Sequence, residues 1–295
     1  MRTYDRRGIT LERNILQTLE QSMPELTKLQ KRVADYIIKN PMAAAFSTVD
    51  QLAHSVGTST TTVVRLAMSS GFSGYVDFQR AIQQYVQNEA SPSRRMELNL
   101  LDRSRKKNIV KDIVELQLDN LRQTYDAVSD SQLQRAVRFM VQAAHLYIAG
   151  SRSCYGMAYY LNFNIDRMCG NSDLLQPNPG EAVEQLKRIG KGDALIAIGV
   201  ARYNRIIVDL ARFVKRRGAP VIVITDSYQS PLTEHADVSF IAECNSADFH
   251  NSMTGPLLLV ELLIALCARE KPEQVKRMLK TSEGYLAEMD VMMPK

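Results

Sequence analysis

Asp193–Asp226 reads DALIAIGVARYNRIIVDLARFVKRRGAPVIVITD, and its pattern decides the architecture of the second half of the chain. Two nearly continuous apolar runs, 193–200 and 219–226, flank an amphipathic helical segment. Runs this short and this apolar belong to parallel strands buried on both faces, joined by a helical crossover. Upstream, HLYIAG (145–150) is a third such run, and downstream DVSFIAE (237–243) is a weaker fourth. The pattern predicts a three-layer α/β/α domain with a parallel sheet of at least four strands and right-handed crossovers. In such sheets the ligand crevice lies outside the carboxyl ends of the strands, so functional residues should follow each run directly.

Those residues are chemically informative. The first run passes through Gly150 into SRSCYGMAYYLNFNIDRM, a Ser-rich loop opening a helix. Amides at a helix N-terminus favour an anion, and Ser151 and Ser153 can add hydroxyl donors; two serines that simply cap a helix are the alternative. The loop is neither GxGxxG nor a P-loop, so no dinucleotide or ATP cofactor is expected. The 193–200 run ends in Arg202, Tyr203, Asn204 and Arg205, where a guanidinium can clamp phosphate or carboxylate through two parallel hydrogen bonds. Thr225, Asp226 and Ser230 follow the next strand edge, where Asp226 can accept from sugar hydroxyls or cap the following turn. His250 and Ser252 precede the apolar helical segment 257–268 and are expected to line the pocket or a subunit contact.

The first third has a different grammar, helix after helix. In LTKLQKRVADYIIKNP, Leu26, Leu29, Val33, Ile37 and Ile38 form a helical stripe closed by Asn40-Pro41. TVDQLAHSVGTSTTTVVRLAM (48–68) then reads as two short helices about a glycine turn. Val49, Leu52, Ala53 and Val56 supply one inner face, Gly57 the left-handed turn, and Val63, Val64 and Ala67 the next inner face. Thr48 with Gln51 forms a capping box, and Ser59 caps the second helix with Thr62 at its third position. That leaves Thr60, Thr61 and Arg65 outward, where small hydroxyls approach a duplex closely and arginine can bracket guanine O6 and N7. The expectation is a helix-turn-helix reading double-stranded DNA through Thr48, Ser59, Thr60, Thr61, Thr62 and Arg65, with Lys28, Lys31 and Arg32 as phosphate contacts. An αα-hairpin bearing ordinary surface threonines is the alternative, and His54 is read as structural.

Charge supports the DNA reading. The 295 residues carry a formal net charge of +5. Through Val110 there are 16 Lys and Arg against 10 Asp and Glu, and beyond it 21 against 22, so the whole excess lies in the first third of the chain. Around Ala90 periodic hydrophobicity gives way to SPSRRMELNLLDRSRKKN, which marks a boundary. The resulting division is 1–98, a helix-turn-helix domain; 99–129, a linker and connecting helix with Ile109, Ile113, Leu116, Leu121 and Tyr125 on one side; 130–271, the α/β domain; and 272–295, a helical tail bearing Val275, Met278, Leu279 and Leu286. The apolar stretch 256–268 is interrupted by Glu261 and is shorter than a bilayer demands, so no membrane partner is expected. The charged N-terminus lacks a signal-peptide core, which points to the cytoplasm. Cys154, Cys169, Cys244 and Cys267 show neither CxxC pairing nor zinc-ligand spacing, so neither a disulfide framework nor a metal is expected.

Taken in order, these features resemble the RpiR family of bacterial transcription regulators, in which a helix-turn-helix domain precedes a sugar isomerase (SIS) domain. The resemblance rests on the LA, ST, TV-R and GF-GY elements of TVDQLAHSVGTSTTTVVRLAMSSGFSGYVDF, and on the succession YIAGSRS, DALIAIGVARYNR, GAPVIVITDSYQSPLTEHADV. It implies a regulator of sugar-catabolic genes whose SIS domain binds a phosphosugar or related metabolite. SIS domains usually carry a second Ser-rich loop where this chain has GVARYNR. The hydroxyl cradle is thus replaced by a cationic one, and a carboxylated or otherwise acidic sugar becomes comparably suitable. The competing class is a sugar-phosphate isomerase, with Glu181, Glu243 or His250 as general base; none of these belongs to a recognisable acid–base constellation, and no catalytic residue is assigned. A homodimer or homotetramer through SIS-domain helices would hold paired reading heads, with the effector acting through differential affinity for two arrangements.

Overall fold

The computed structural model describes residues 15–89, 92, 93, 95, 96 and 108–291. The basic cluster at 97–107 and the first fourteen residues lie outside these. The chain divides into two compact units, 1–102 and 103–295.

The first unit is helical: α1 (Ile15–Ser22), α2 (Lys28–Lys39), α3 (Pro41–Phe46), α4 (Val49–Val56), α5 (Thr60–Ser69) and α6 (Tyr75–Glu89). Its core joins Leu19, Val33, Ile37, Leu52, Leu66, Phe78 and Ile82. Two of the expected inner-face residues give way to others on the same helix. Leu66, not the half-buried Val64, is sealed on α5, and Ala34 is buried on α2 where Leu29 stays 44% exposed. Both caps form as the sequence predicts: Thr48 and Gln51 exchange side-chain and backbone bonds at 2.8 and 3.2 Å, and Ser59 Oγ accepts from Thr62 N at 3.3 Å. Gly57 closes α4 at φ +67°, the left-handed region open to glycine without steric cost. Beneath α4 and α5, α6 is tied to the end of α3, with the Tyr75 hydroxyl and Gln79 Nε2 both donating to the Ser47 carbonyl at 2.6 and 2.7 Å.

The second unit carries a five-stranded, wholly parallel sheet: β1 (Leu146–Gly150), β2 (Ser172–Leu174), β3 (Ala194–Ile198), β4 (Val221–Thr225) and β5 (Val238–Ile241), in the order β2-β1-β3-β4-β5. β2 is the strand that hydrophobicity missed, since three residues at a sheet edge carry no apolar run. Seven helices flank the strands among the described residues: α7 (Ile109–Ala127), α8 (Asp130–Gln142), α9 (Ser153–Cys169), α10 (Pro179–Gln185), α11 (Arg205–Arg216), α12 (Thr254–Glu270) and α13 (Pro272–Glu288). Strand alternation distributes the core to both faces. Ile148, Ile196, Ile222 and Phe240 pack under α8, α9 and α12, while Tyr147, Leu195, Val221 and Val223 pack under α10 and α11. The tail helix α13 lies back on α9.

On α7, Ile109, Ile113 and Tyr125 are exposed, Leu116 and Leu121 are half-buried, and the buried residues are Asn120 and Thr124. The cause is what α7 covers: the 243–254 loop, whose backbone groups need partners. Thr124 Oγ1 accepts from Glu243 N at 2.9 Å, and Asn120 Nδ2 donates to the Asn245 carbonyl at 2.7 Å. Gln117 Oε1 accepts from the Thr254 hydroxyl at 2.7 Å and from the Ser252 hydroxyl. Fit is close enough that a Cβ on Gly255 would lie 2.6 Å from Thr124 Oγ1 and 2.5 Å from the Glu243 carbonyl oxygen.

Candidate functional site

On α5, the Ser59 hydroxyl is committed to the cap and lies 3.0 Å from the Thr62 hydroxyl. Thr48 is likewise a cap acceptor, and Thr60 is half-buried. The residues presented to solvent are Thr61 and Arg65, one helical turn apart. Met68, 60% exposed, extends the same face and was not singled out from sequence. An apolar side chain there suits the thymine methyl group in the major groove. Lys28 and Lys31 are exposed on α2. Arg32 has a structural job: its Nη2 donates to the Val56 carbonyl at 2.7 Å, satisfying the end of α4 just before Gly57.

The second site gathers at one edge of the sheet. Gly150, Ile198 and Ile224 are register partners across β1, β3 and β4, so Ser151, Gly199 and Thr225 emerge side by side. Gly150 is required by packing, because a Cβ there would lie 2.6 Å from the Cys154 carbonyl oxygen and 2.9 Å from Ala158 Cβ. Ser151 is buried and Ser153 exposed at the first position of α9. Two amides of this turn are bonded within it: Cys154 N and Tyr155 N donate at 3.1 Å to the carbonyls of Ser151 and Arg152. Arg152 itself, at φ +54°, carries no capping side-chain bond. Burial raises the pKa of the Cys154 thiol at the start of α9.

The β3 loop is built around Asp226. Its Oδ2 accepts from Ala201 N at 2.9 Å, and its Oδ1 accepts from the Tyr203 hydroxyl at 2.9 Å and the Thr225 hydroxyl at 3.3 Å. Asn251 Nδ2 donates to the Ala201 carbonyl at 3.2 Å, so Ala201 is held at both its N–H and its C=O. Between the clamped residues, Arg202 sits at φ +66° with its side chain in solvent. A non-glycine residue in the left-handed region costs about 1–2 kcal/mol, and such strain persists where the surroundings over-determine it. Burial raises the Asp226 pKa against the lowering effect of its donors. Tyr203 is raised by burial first and by the Asp226 charge second. Ser230 is buried, with Oγ accepting from Leu232 N at 3.3 Å.

The sequence-derived residues therefore separate by placement. Tyr203, Thr225, Asp226 and Ser230 form a brace in which Thr225 and Ser230 are buried and Tyr203 and Asp226 half-buried, and Asp226 bonds back to the β3 loop. Arg202, Ser151 and Ser153 stand at the strand edge. Arg205 turns away onto the outer side of α11, pairs with Asp209 at 3.4 Å, and lines a groove with Pro177, Pro179 and Phe213. His250 is exposed and packs edge-on against Phe249, with ring centroids 5.4 Å apart. Asn251 was missed, because a single amide in a polar loop has no sequence signature. The candidate bases are on two segments: Glu181 in α10 accepts from Asn178 at 3.2 Å, and in the 243–254 loop Glu243 accepts from Asn245 at 2.8 Å while His250 is exposed.

A helical reading head followed by a parallel α/β domain with polar strand-end loops defines the class: a helix-turn-helix protein with a SIS-type domain. Residues 13–89 match the helix-turn-helix domain of the rpiR family, and residues 139–266 match the SIS domain family. The chain belongs to the RpiR family of helix-turn-helix transcriptional regulators. It is 23% identical to the transcriptional regulator HexR of Pseudomonas aeruginosa, over 86% of this chain and 88% of that one. HexR of Escherichia coli is 22% identical, with 91% and 95% covered. In fold it is similar to Vibrio vulnificus NanR complexed with ManNAc-6P, with a TM-score of 0.58 and 24% identity over 95% of this chain and all of that one. No helix among the described residues is long and apolar enough to cross a membrane.

Proposed function

We propose that this regulator binds operator DNA through α4 and α5 and is controlled by a phosphosugar or related acidic sugar held at the carboxyl edge of β1, β3 and β4. The observation that carries the reading is the Arg202 turn. The Asp226 carboxylate, itself bonded by the Tyr203 hydroxyl, and the Asn251 amide hold the backbone N–H and C=O of Ala201, so that the Arg202 guanidinium is presented at the same end of the sheet as Ser151 and Ser153. Such an arrangement suits a phosphate or carboxylate. Thr225, Asp226, Tyr203 and Ser230 act beneath it as support, and His250 lies at the rim. Thr61, Arg65 and Met68 are the base-facing residues, and Lys28 and Lys31 contact phosphates. The SIS-type domain is a sensor without catalysis, a reading supported by the commitment of Glu181 and Glu243 to asparagine side chains and by the exposure of His250. In this reading the protein works in the cytoplasm as a dimer or a dimer of dimers, and the effector shifts DNA affinity only as far as it discriminates between two arrangements of the reading heads.

The test is a thermal-shift screen against sugar phosphates, sugar acids and polyol phosphates, since a ligand of the native state raises apparent stability. A specific stabiliser whose effect is lost in Arg202→Ala, and which alters operator binding by the wild type, is the expected result. A stabiliser equally effective on Arg202→Ala and Ser153→Ala would overturn the placement of the pocket.

A further inference from the structure

The groove between α10 and α11 belongs neither to the reading head nor to the strand-edge site. Its apolar lining is Pro177, Pro179 and Val183, all exposed, and half-buried Phe213. Its polar lining is a row of guanidinium groups on α11: Arg205, Arg212 and Arg216. These are seven and four residues apart, two helical turns and one, so they keep to a single stripe of the helix. The row is short of counterions. Asp209, the one carboxylate in the lining, is shared between Arg205 at 3.4 Å and Arg212 at 3.2 Å. Arg216 has no ion pair among the described residues. The acids of α10 are engaged elsewhere, Glu181 with Asn178 at 3.2 Å and Glu184 with Lys187 at 3.7 Å. Three arginines therefore face one aspartate beside an apolar cleft.

Dimensions and chemistry decide what fits. At 1.5 Å per residue the row from Arg205 to Arg216 runs about 16 Å, further than one acidic group can bridge. The groove volume, about 710 Å3, would admit a small molecule, but such a ligand would meet one guanidinium and leave the others unanswered. A nucleic-acid strand would answer the charges, yet it gains nothing from two prolines, a valine and a phenylalanine, and it would meet Asp209 in the middle of the row. An acidic peptide segment satisfies both linings. Its apolar side chain fills the cleft, and its carboxylates take the planar, two-pronged hydrogen bonds that arginine offers. The Asp209 pairs are partly exposed and are readily exchanged for such partners.

We propose that the α10–α11 groove is a docking site for an acidic, amphipathic segment of a partner protein. The segment seats a leucine or aromatic side chain against Val183 and Phe213 and sets carboxylates on Arg212 and Arg216. Neither the operator nor the effector reading is needed for this site, which uses none of their residues.

The experiment is selection of a random dodecapeptide display library on the full-length protein, followed by fluorescence polarisation of the enriched peptides. Circular dichroism establishes that each variant is folded. Enriched sequences are expected to carry two or more carboxylates around a leucine or aromatic residue. Arg212→Glu combined with Arg216→Glu should weaken their binding about tenfold or more, and Val183→Asp, at an exposed position, by a similar factor. Arg65→Ala, in the other unit, should leave binding within about twofold of wild type. A library that yields no peptide dependent on these groove residues, or one enriched in sequences without acidic residues, overturns the proposal. Displacement of the peptide by single-stranded DNA assigns the groove to nucleic acid, and a smaller sedimenting mass of the double variant assigns it to a second copy; either result overturns the proposal as well.

Discussion

Replacing Arg202 with glycine should stabilise the protein while abolishing its response to effector. Arg202 sits at φ +66° because Ala201 is bonded on both sides, to Asp226 and to Asn251. Left-handed backbone costs an L-residue about 1–2 kcal/mol. Glycine removes that cost but gives the unfolded chain about 0.5–1 kcal/mol more conformational freedom. The difference favours Arg202→Gly by roughly 0.5–1 kcal/mol, a rise of about 2 °C in melting temperature for a unit of this size. Arg202→Ala is the control: it keeps the strained dihedral and removes the same guanidinium, so it should melt near wild type. Calorimetry of the three ligand-free proteins gives the order directly, and each is then titrated with the sugar-acid stabiliser found for wild type. Both variants should lose that stabilisation. If glycine melts no higher than alanine the turn is not strained, and if both variants respond like wild type the guanidinium is not a ligand contact.

Other outcomes follow from the same geometry. Arg65→Ala should weaken operator binding by about 1–3 kcal/mol while leaving affinity for random DNA nearly unchanged, measured by competition titration; an unaltered preference would refute the reading face. Gly255→Ala, whose Cβ would fall 2.5 Å from the Glu243 carbonyl oxygen, should cost about 1–3 kcal/mol, seen as a lowered melting temperature. Tyr75 is pushed up to about 12 by burial. It is protonated in both states below pH 10, and above that the unfolded chain ionises first, so stability should fall as pH rises from about 10 towards 12. Tyr75→Phe should flatten that alkaline decline in denaturant titrations, at a neutral-pH cost of about 1 kcal/mol for the lost bond to Ser47.

Much of this molecule is legible from sequence because burial leaves a periodic trace. Four strands and the α4–α5 pair with both caps follow from apolar spacing, Gly57, and two Ser/Thr signals. What escapes is structure made by polar groups or by very short pieces. β2 has three residues and no hydrophobic run. α7 misleads because the usual rule sends apolar residues inward, whereas here the surface to be covered is a polar loop, and Asn120 and Thr124 meet it better than Ile109 or Tyr125. The site shows the same division. That polar residues follow β1, β3 and β4 is a consequence of topology and can be read directly. That Asp226 braces the turn, and that Arg205 leaves the crevice one helical step after Arg202, depends on a single left-handed residue that no pattern announces.

The polar underside of α7 bears on where the second unit can be cut. A fragment starting at Asp130 would contain every strand and yet remove the α7 partners of Glu243 N, Asn245 O and the Ser252 and Thr254 hydroxyls. It would also expose the first turn of α12. Four bonds at about 1 kcal/mol each are a large share of the roughly 5–15 kcal/mol that holds a domain folded. The smallest autonomous piece therefore begins at Asn108, whose side chain accepts from Lys111 N and starts the helix. Fragments meant for crystallisation or ligand screening should keep that residue, although strand-based boundaries would discard it.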